Sequence, residues 1–177
     1  MRDAIRQRWT GASQTSGAGV GYRQLHGFVA DDPRGSLARA GVALHVYDCP
    51  LRLPGKLVYG AWDPMLRRIE LYACNDTRAD EELVATLGHE LWHAFRLGVL
   101  TRRPRKVGRR KTGTPDEERQ ARAFAQAWLR CLGSEGVRAC ARALRSQAVR
   151  RPMSSEKLRT ALLGQGEPGF CILNIGL

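Results

Sequence analysis

His89-Glu90-Leu91-Trp92-His93 is the stretch on which the reading of this chain turns. Two histidines four residues apart lie over one another on one helix face, so both imidazoles can reach a single ion. With a glutamate between them as general base, the string reads as the H-E-x-x-H zinc motif. Its surroundings strengthen that reading. At roughly 100° per residue across positions 81–97, Leu83, Val84, Leu87, Leu91, Ala94 and Phe95 share one face. His89 and His93 fall nearly opposite, beside small Ala85 and Thr86, and Asp80, Glu81 and Glu82 open the helix with the charge its dipole favours. The expectation is a helix with its apolar stripe buried and its histidines facing a cleft.

Working outward, the chain of 177 residues is 43% hydrophobic, enough for one sizeable core and a single domain. It holds no apolar run of about eighteen residues, so no membrane contact is expected. The start, Met1-Arg2-Asp3-Ala4-Ile5-Arg6, lacks the apolar centre of a secretion signal. Cys49, Cys74, Cys131, Cys140 and Cys171 are odd in number and form no C-x-x-C pair. They read as free thiols in a reducing, cytoplasmic setting. A net charge of +12 attracts nucleic acid or acidic proteins at low salt.

Upstream of the motif, residues 1–35 read as a flexible Gly-rich arm, followed by a short helix after Ser36 that Gly41 closes. Three strand signals follow: 42–47, containing His45 as a satisfied strand residue rather than a ligand, then 57–59 and 68–73. A strand placed just before the motif helix offers an edge to which an extended peptide can add. Downstream, Arg102, Arg103, Arg105, Lys106, Arg109, Arg110 and Lys111 put seven charges in ten residues. This basic loop, 101–113, reads as solvated, with contact to nucleic acid or an acidic partner as its functional alternative. Thr114-Pro115-Asp116-Glu117 then restarts helix as a capping box with proline in the first turn, running to about Cys131. Beyond Gly133 a helical extension spans 134–177, with a further helix beginning at Ser154 or Ser155 and an apolar tail from Phe170 docked on the body. The fold class is therefore α+β: a mainly helical domain over 36–177, with a small antiparallel or mixed three-stranded sheet beside the H-E-x-x-H helix.

A catalytic zinc takes three protein ligands and keeps one position open. No histidine follows His93, and Val99 stands where an extended motif would carry its third. The acidic group Asp116, Glu117 and Glu118 is the natural source of the missing ligand. Helix angles do not decide between Glu117 and Glu118. Because Glu117 is engaged in the capping box, Glu118 is preferred.

The run of strands, His89-Glu90-Leu91-Trp92-His93, and then Glu118-Arg119-Gln120-Ala121-Arg122-Ala123-Phe124-Ala125 resembles the ImmA/IrrE family of zinc metallopeptidases. That family shows H-E-L-x-H followed by E-x-x-A-N-x-F-A. The resemblance covers about residues 40–130, roughly half the chain. It implies His89, His93 and Glu118 as metal ligands and Glu90 as the catalytic glutamate. Trp92 stands where a small residue is common, Arg122 replaces the usual asparagine, and no proline follows Leu129. What it further implies is regulatory proteolysis, with a DNA-binding helix-turn-helix repressor as protein substrate.

The reading from sequence is thus a zinc endopeptidase in which Glu90 activates the attacking water, with Tyr47, Tyr59 and Tyr72 as candidates to stabilise the oxyanion. Two alternatives stand beside it. One is a DNA-associated protease of the SprT-like kind, which the missing third histidine opposes. The other is a nucleic-acid-binding or scaffold protein with a vestigial metal site, which draws on the charge alone.

Overall fold

A computed structural model describes residues 27–53, 56–72, 78–96, 114–150 and 171–172. The elements in chain order are α1 (Pro33–Arg39), β1 (Ala43–Val46), β2 (Leu51–Leu53), β3 (Lys56–Val58), β4 (Gly60–Asp63), β5 (Arg68–Leu71), α2 (Asp80–Arg96), α3 (Pro115–Ser146) and β6 (Cys171–Ile172). The basic loop 101–113, the further helix expected after Ser154 and most of the N-terminal arm lie outside the described residues. No helix among the described residues is long and apolar enough to cross a membrane.

The expected helix after Ser36 begins earlier, at Pro33. Asp32 accepts from the Gly35 N–H at 2.9 Å as its N-cap, and proline suits the first turn because its missing N–H has no helical partner there. Ser36 instead accepts from the Val29 N–H at 2.8 Å, pinning the segment that leads into the helix.

The sheet is mixed, as expected for this α+β fold. β1 runs parallel to β5, β5 pairs antiparallel with β4, and the two-residue β6 adds antiparallel to the far side of β4. β2 and β3 form a separate hairpin. Three of these strands, β2, β4 and β6, lie outside the expected strands 42–47, 57–59 and 68–73; Pro50 and Pro54 flank β2, and Gly60 leads β4. Side-chain alternation divides the sheet's faces. Leu44, Val46, Trp62, Ile69 and Leu71 join the main core with α2, while Ala61 and Tyr72 join Leu51 and Val58 in a second cluster. On that second side Tyr72 donates to Glu70, and Arg68 pairs with Glu70 at 2.7 Å, so the buried carboxylate is satisfied.

α2 is the centre of the molecule. From Leu83 to Ala94 none of its residues is exposed. The amphipathic stripe holds, but the opposite face carrying the histidines is covered too, because α3 lies across it. That crossing depends on Gly88. A β-carbon there would sit 2.6 Å from a ring carbon of Trp128 and 3.2 Å from the Ala125 Cα. Ala121 and Ala125 supply the matching small surface on α3, and Trp128 is fully buried. α3 itself breaks at Gly133, where φ of 66° and ψ of 172° interrupt the helix, as the sequence reading places it. Its second segment contributes Val137, Cys140, Ala141 and Leu144 to the core. Arg145 ties it to the start of α2, pairing with Asp80 and donating to the Arg78 carbonyl at 3.1 Å. The described cysteines Cys49, Cys131 and Cys140 are free thiols. Burial pushes the Cys140 thiol up to about 12.

Gly88→Ala is the sharpest test of this packing. Its added methyl meets a fixed ring and a backbone atom, so the helices must part, and a loss of about 1–3 kcal/mol is expected in urea unfolding. Ala85→Gly, on the same helix but with no such contact to relieve, is expected to cost about 1 kcal/mol from propensity alone.

Candidate metal centre

Two successive turns of α2 bring His89 and His93 together. Their Nε2 atoms are 3.0 Å apart and their rings meet at 4.8 Å between centroids. Both residues are nearly inaccessible, at 2% and 3% exposure. The third member arrives from the first turn of α3. Thr114 caps that helix, accepting from the Glu117 N–H at 3.3 Å, while the Glu117 carboxylate accepts from the Thr114 N–H at 3.3 Å. The capping box therefore occupies Glu117 and fixes the turn, so that the next residue, Glu118, points at the histidines. Its Oε2 is 3.2 Å from His89 Nε2 and its Oε1 is 3.6 Å from His93 Nε2.

One ligand atom from each of the three residues lies within 4.8 Å of the other two, as in a site that can hold a metal ion. A tetrahedral zinc with bonds of about 2.0–2.1 Å would set its donor atoms about 3.3 Å apart. The His89–His93 and His89–Glu118 separations, 3.0 and 3.2 Å, lie near that value, and two imidazoles with a carboxylate are a donor set that could hold a metal ion. His89 Nδ1, on the far side of its ring, is buried without a hydrogen-bond partner among the described residues, so the ring's polar contacts are made through Nε2.

Electrostatics separates the two glutamates. Burial works to raise the Glu118 carboxyl, but its hydrogen bond with His89 and the charges of His89, His93 and Arg122 outweigh it and hold Glu118 below its usual value. Glu90 behaves in the opposite way. It has no exposure, no side chain among the described residues pairs with its carboxylate, and the backbone of Trp62 offers it only a marginal hydrogen bond. Burial, with the negative charge of Glu118 adding to it, pushes Glu90 well above the usual carboxylate range, and the backbone of Trp62 opposes this only in part. β4 passes close over this carboxylate. A β-carbon on Gly60 would sit 3.0 Å from Glu90 Oε1 and 2.7 Å from the Thr86 methyl.

The sequence reading of His89, His93 and Glu118 as one group thus matches their placement, and Glu90 lies close enough to feel the charge of Glu118. Asp116 is exposed and paired with Arg119 at 2.8 Å. Tyr72 donates to Glu70, Tyr47 stacks on Tyr72 at 5.4 Å, and Tyr59 carries the Arg78 guanidinium 4.2 Å above its ring. His45 is exposed on the sheet face opposite the main core, opposite Glu70 in register. Partial burial and the charges of Arg68 and Arg34 hold its imidazole below its usual value, against Glu70.

No family model, curated protein or solved structure matches the chain. The site's geometry therefore carries the functional argument.

Gly88 and Gly60 are the residues that the sequence reading missed. A signal existed for each: glycine within a helix costs about 1 kcal/mol against alanine, and within a strand it marks a close approach of another group.

Zinc titration of metal-free protein checks the assignment. Glu118→Gln should weaken binding beyond the roughly 10–100-fold typical of losing a residue that merely supports a ligand. Glu117→Gln keeps a capping side chain and should leave zinc affinity within a few-fold of native. The reverse order would make Glu117 the ligand.

Proposed function

We propose that the chain is a zinc-dependent endopeptidase in which His89, His93 and Glu118 hold the ion and Glu90 is the general base. Glu90 is the observation that carries this reading. A zinc site that only braces two helices is closed by four ligands and has no use for an adjacent carboxylate that no side chain pairs. Burying one is costly, and such a cost is characteristic of functional sites. Three protein donors, by contrast, leave one position for chemistry.

An ion bound there would supply Lewis acidity toward a scissile carbonyl and ease the ionisation of the attacking water. The protein's own residues do the rest. Glu90 takes the proton of the attacking water and passes it to the leaving amine. Glu118 would supply the anionic donor of the set. Trp92 sets its ring edge-on to His93 at 5.1 Å between centroids and walls that side of the group.

The class of substrate follows from the resemblance to ImmA/IrrE peptidases in the motif and in the Glu118 segment. It supports cleavage of a regulatory protein, with a helix-turn-helix repressor as the candidate. Glu118 as the third donor favours this reading over the SprT-like one. The residues Arg102, Arg103, Arg105, Lys106, Arg109, Arg110 and Lys111 are proposed to meet nucleic acid or an acidic face of the substrate. Free thiols fit a cytoplasmic setting.

Glu90→Gln tests the mechanism. The variant should keep zinc and fold yet lose peptide cleavage by about 10²–10⁴-fold, the usual contribution of general acid–base catalysis. His93→Ala should lose metal and activity together. Equal cleavage by native protein and Glu90→Gln, at equal zinc content, would remove Glu90 from the mechanism.

A further inference from the structure

We propose that β6 is an intramolecular occupant of the edge along which an extended peptide would dock, so that the chain's own tail blocks the site. The inference rests on the peptidase reading above.

The sheet order is β1-β5-β4-β6, so without β6 the outer edge of the sheet would be β4. β4 is also the strand that passes over Glu90, through Gly60, and whose Trp62 backbone acts on the same carboxylate. The tail pairs with the two residues that follow Gly60: Ala61 opposite Ile172, and Trp62 opposite Cys171. Its direction is antiparallel. Exposed strand edges recognise extended peptides by such main-chain pairing, with side-chain pockets adding specificity. The segment Phe170-Cys171-Ile172-Leu173-Asn174-Ile175-Gly176-Leu177 carries no charged side chain and is rich in strand-forming residues. It is therefore suited to the same edge as a substrate strand.

The described pairing of β6 covers two positions of β4, Ala61 and Trp62. A tethered edge strand can be exchanged for another that makes the same main-chain bonds. It competes well only because tethering gives it an effective concentration on the order of millimolar. A free peptide must overcome that competition, and removing the tail's pairing removes the penalty.

The test uses full-length, zinc-loaded protein and two probes. The first is a fluorescent peptide with the sequence of residues 168–175, serine replacing its cysteine, with anisotropy measured in a Glu90→Gln background to prevent turnover. The double variant Cys171→Pro/Ile172→Pro, which cannot donate to the ladder, should bind this peptide at least tenfold more tightly than the native tail allows. The pair Ala61→Cys/Ile172→Cys, in a Cys171→Ser background, should lose peptide binding when oxidised and regain it on reduction. Equal affinity with native and proline tails, or binding to the disulfide-closed form, would overturn the proposal. Should the proline variant lose zinc or helix content, the disulfide pair decides alone. The second probe is hydrolysis of casein with Glu90 intact. Cleavage that rises with the proline tail and stops on disulfide closure is the expected result. Peptide exchange without cleavage by any variant would overturn the peptidase reading and leave strand exchange standing. Cleavage indifferent to closure would do the opposite.

Discussion

The close crossing of α3 over α2 is the constraint on which the rest of this structure depends. It is possible because Gly88 has no side chain where Trp128 and Ala125 press in. A helix pair held even slightly further apart would still bury its leucines, but Glu118 would no longer reach His89 and His93. Packing and site geometry are therefore one requirement here. Interiors pack densely enough that a single methyl at the crossing must displace something. The capping box at Thr114 adds the second coordinate, fixing where along α3 the chain turns helical and so which carboxylate faces the histidines.

The site is expensive for a domain of this size. Thr86, His89, Glu90 and His93 are all buried on one helix, and Glu90 has no side-chain partner among the described residues. In the absence of a cation, such a cluster opposes folding, because buried charge loses its hydration without repayment. Positive charge held by the histidines and Glu118 would reverse the balance and favour the ionised form of Glu90. The contrast with Glu70 is informative. That residue is buried too, yet Tyr72 and Arg68 satisfy it. Of these two buried glutamates, Glu70 is paired by side chains and Glu90 is not.

The sheet serves the helix pair more than itself. β5 and β1 bury their apolar faces on α2, and β4 lies over the polar turn that contains Thr86 and Glu90. Gly60 again permits the approach, as Gly88 permits that of α3. In this arrangement the side of β4 away from β5 is covered by β6.

By itself, the sequence determined the local features of this protein. The spacing of His89 and His93, the apolar stripe of α2, the capping box at Thr114 and the break at Gly133 all follow from helix periodicity and terminal hydrogen bonding, which act over a few residues. The α+β class and the period-two strands β1 and β5 were legible for the same reason. Tertiary structure decided what distance in the chain conceals. Helix angles left Glu117 and Glu118 open; the approach of two helices brought Glu118 to the histidines. The wheel placed the histidines opposite the apolar stripe, but only the position of α3 made that face buried rather than open. β4 was hidden by its leading glycine, and β2 by the prolines around it, because strands of three or four residues take their stability from neighbours rather than from their own propensity. Glu90's lack of a side-chain partner belongs to the same class: a residue's hydration depends on everything packed around it, and no window of sequence contains that.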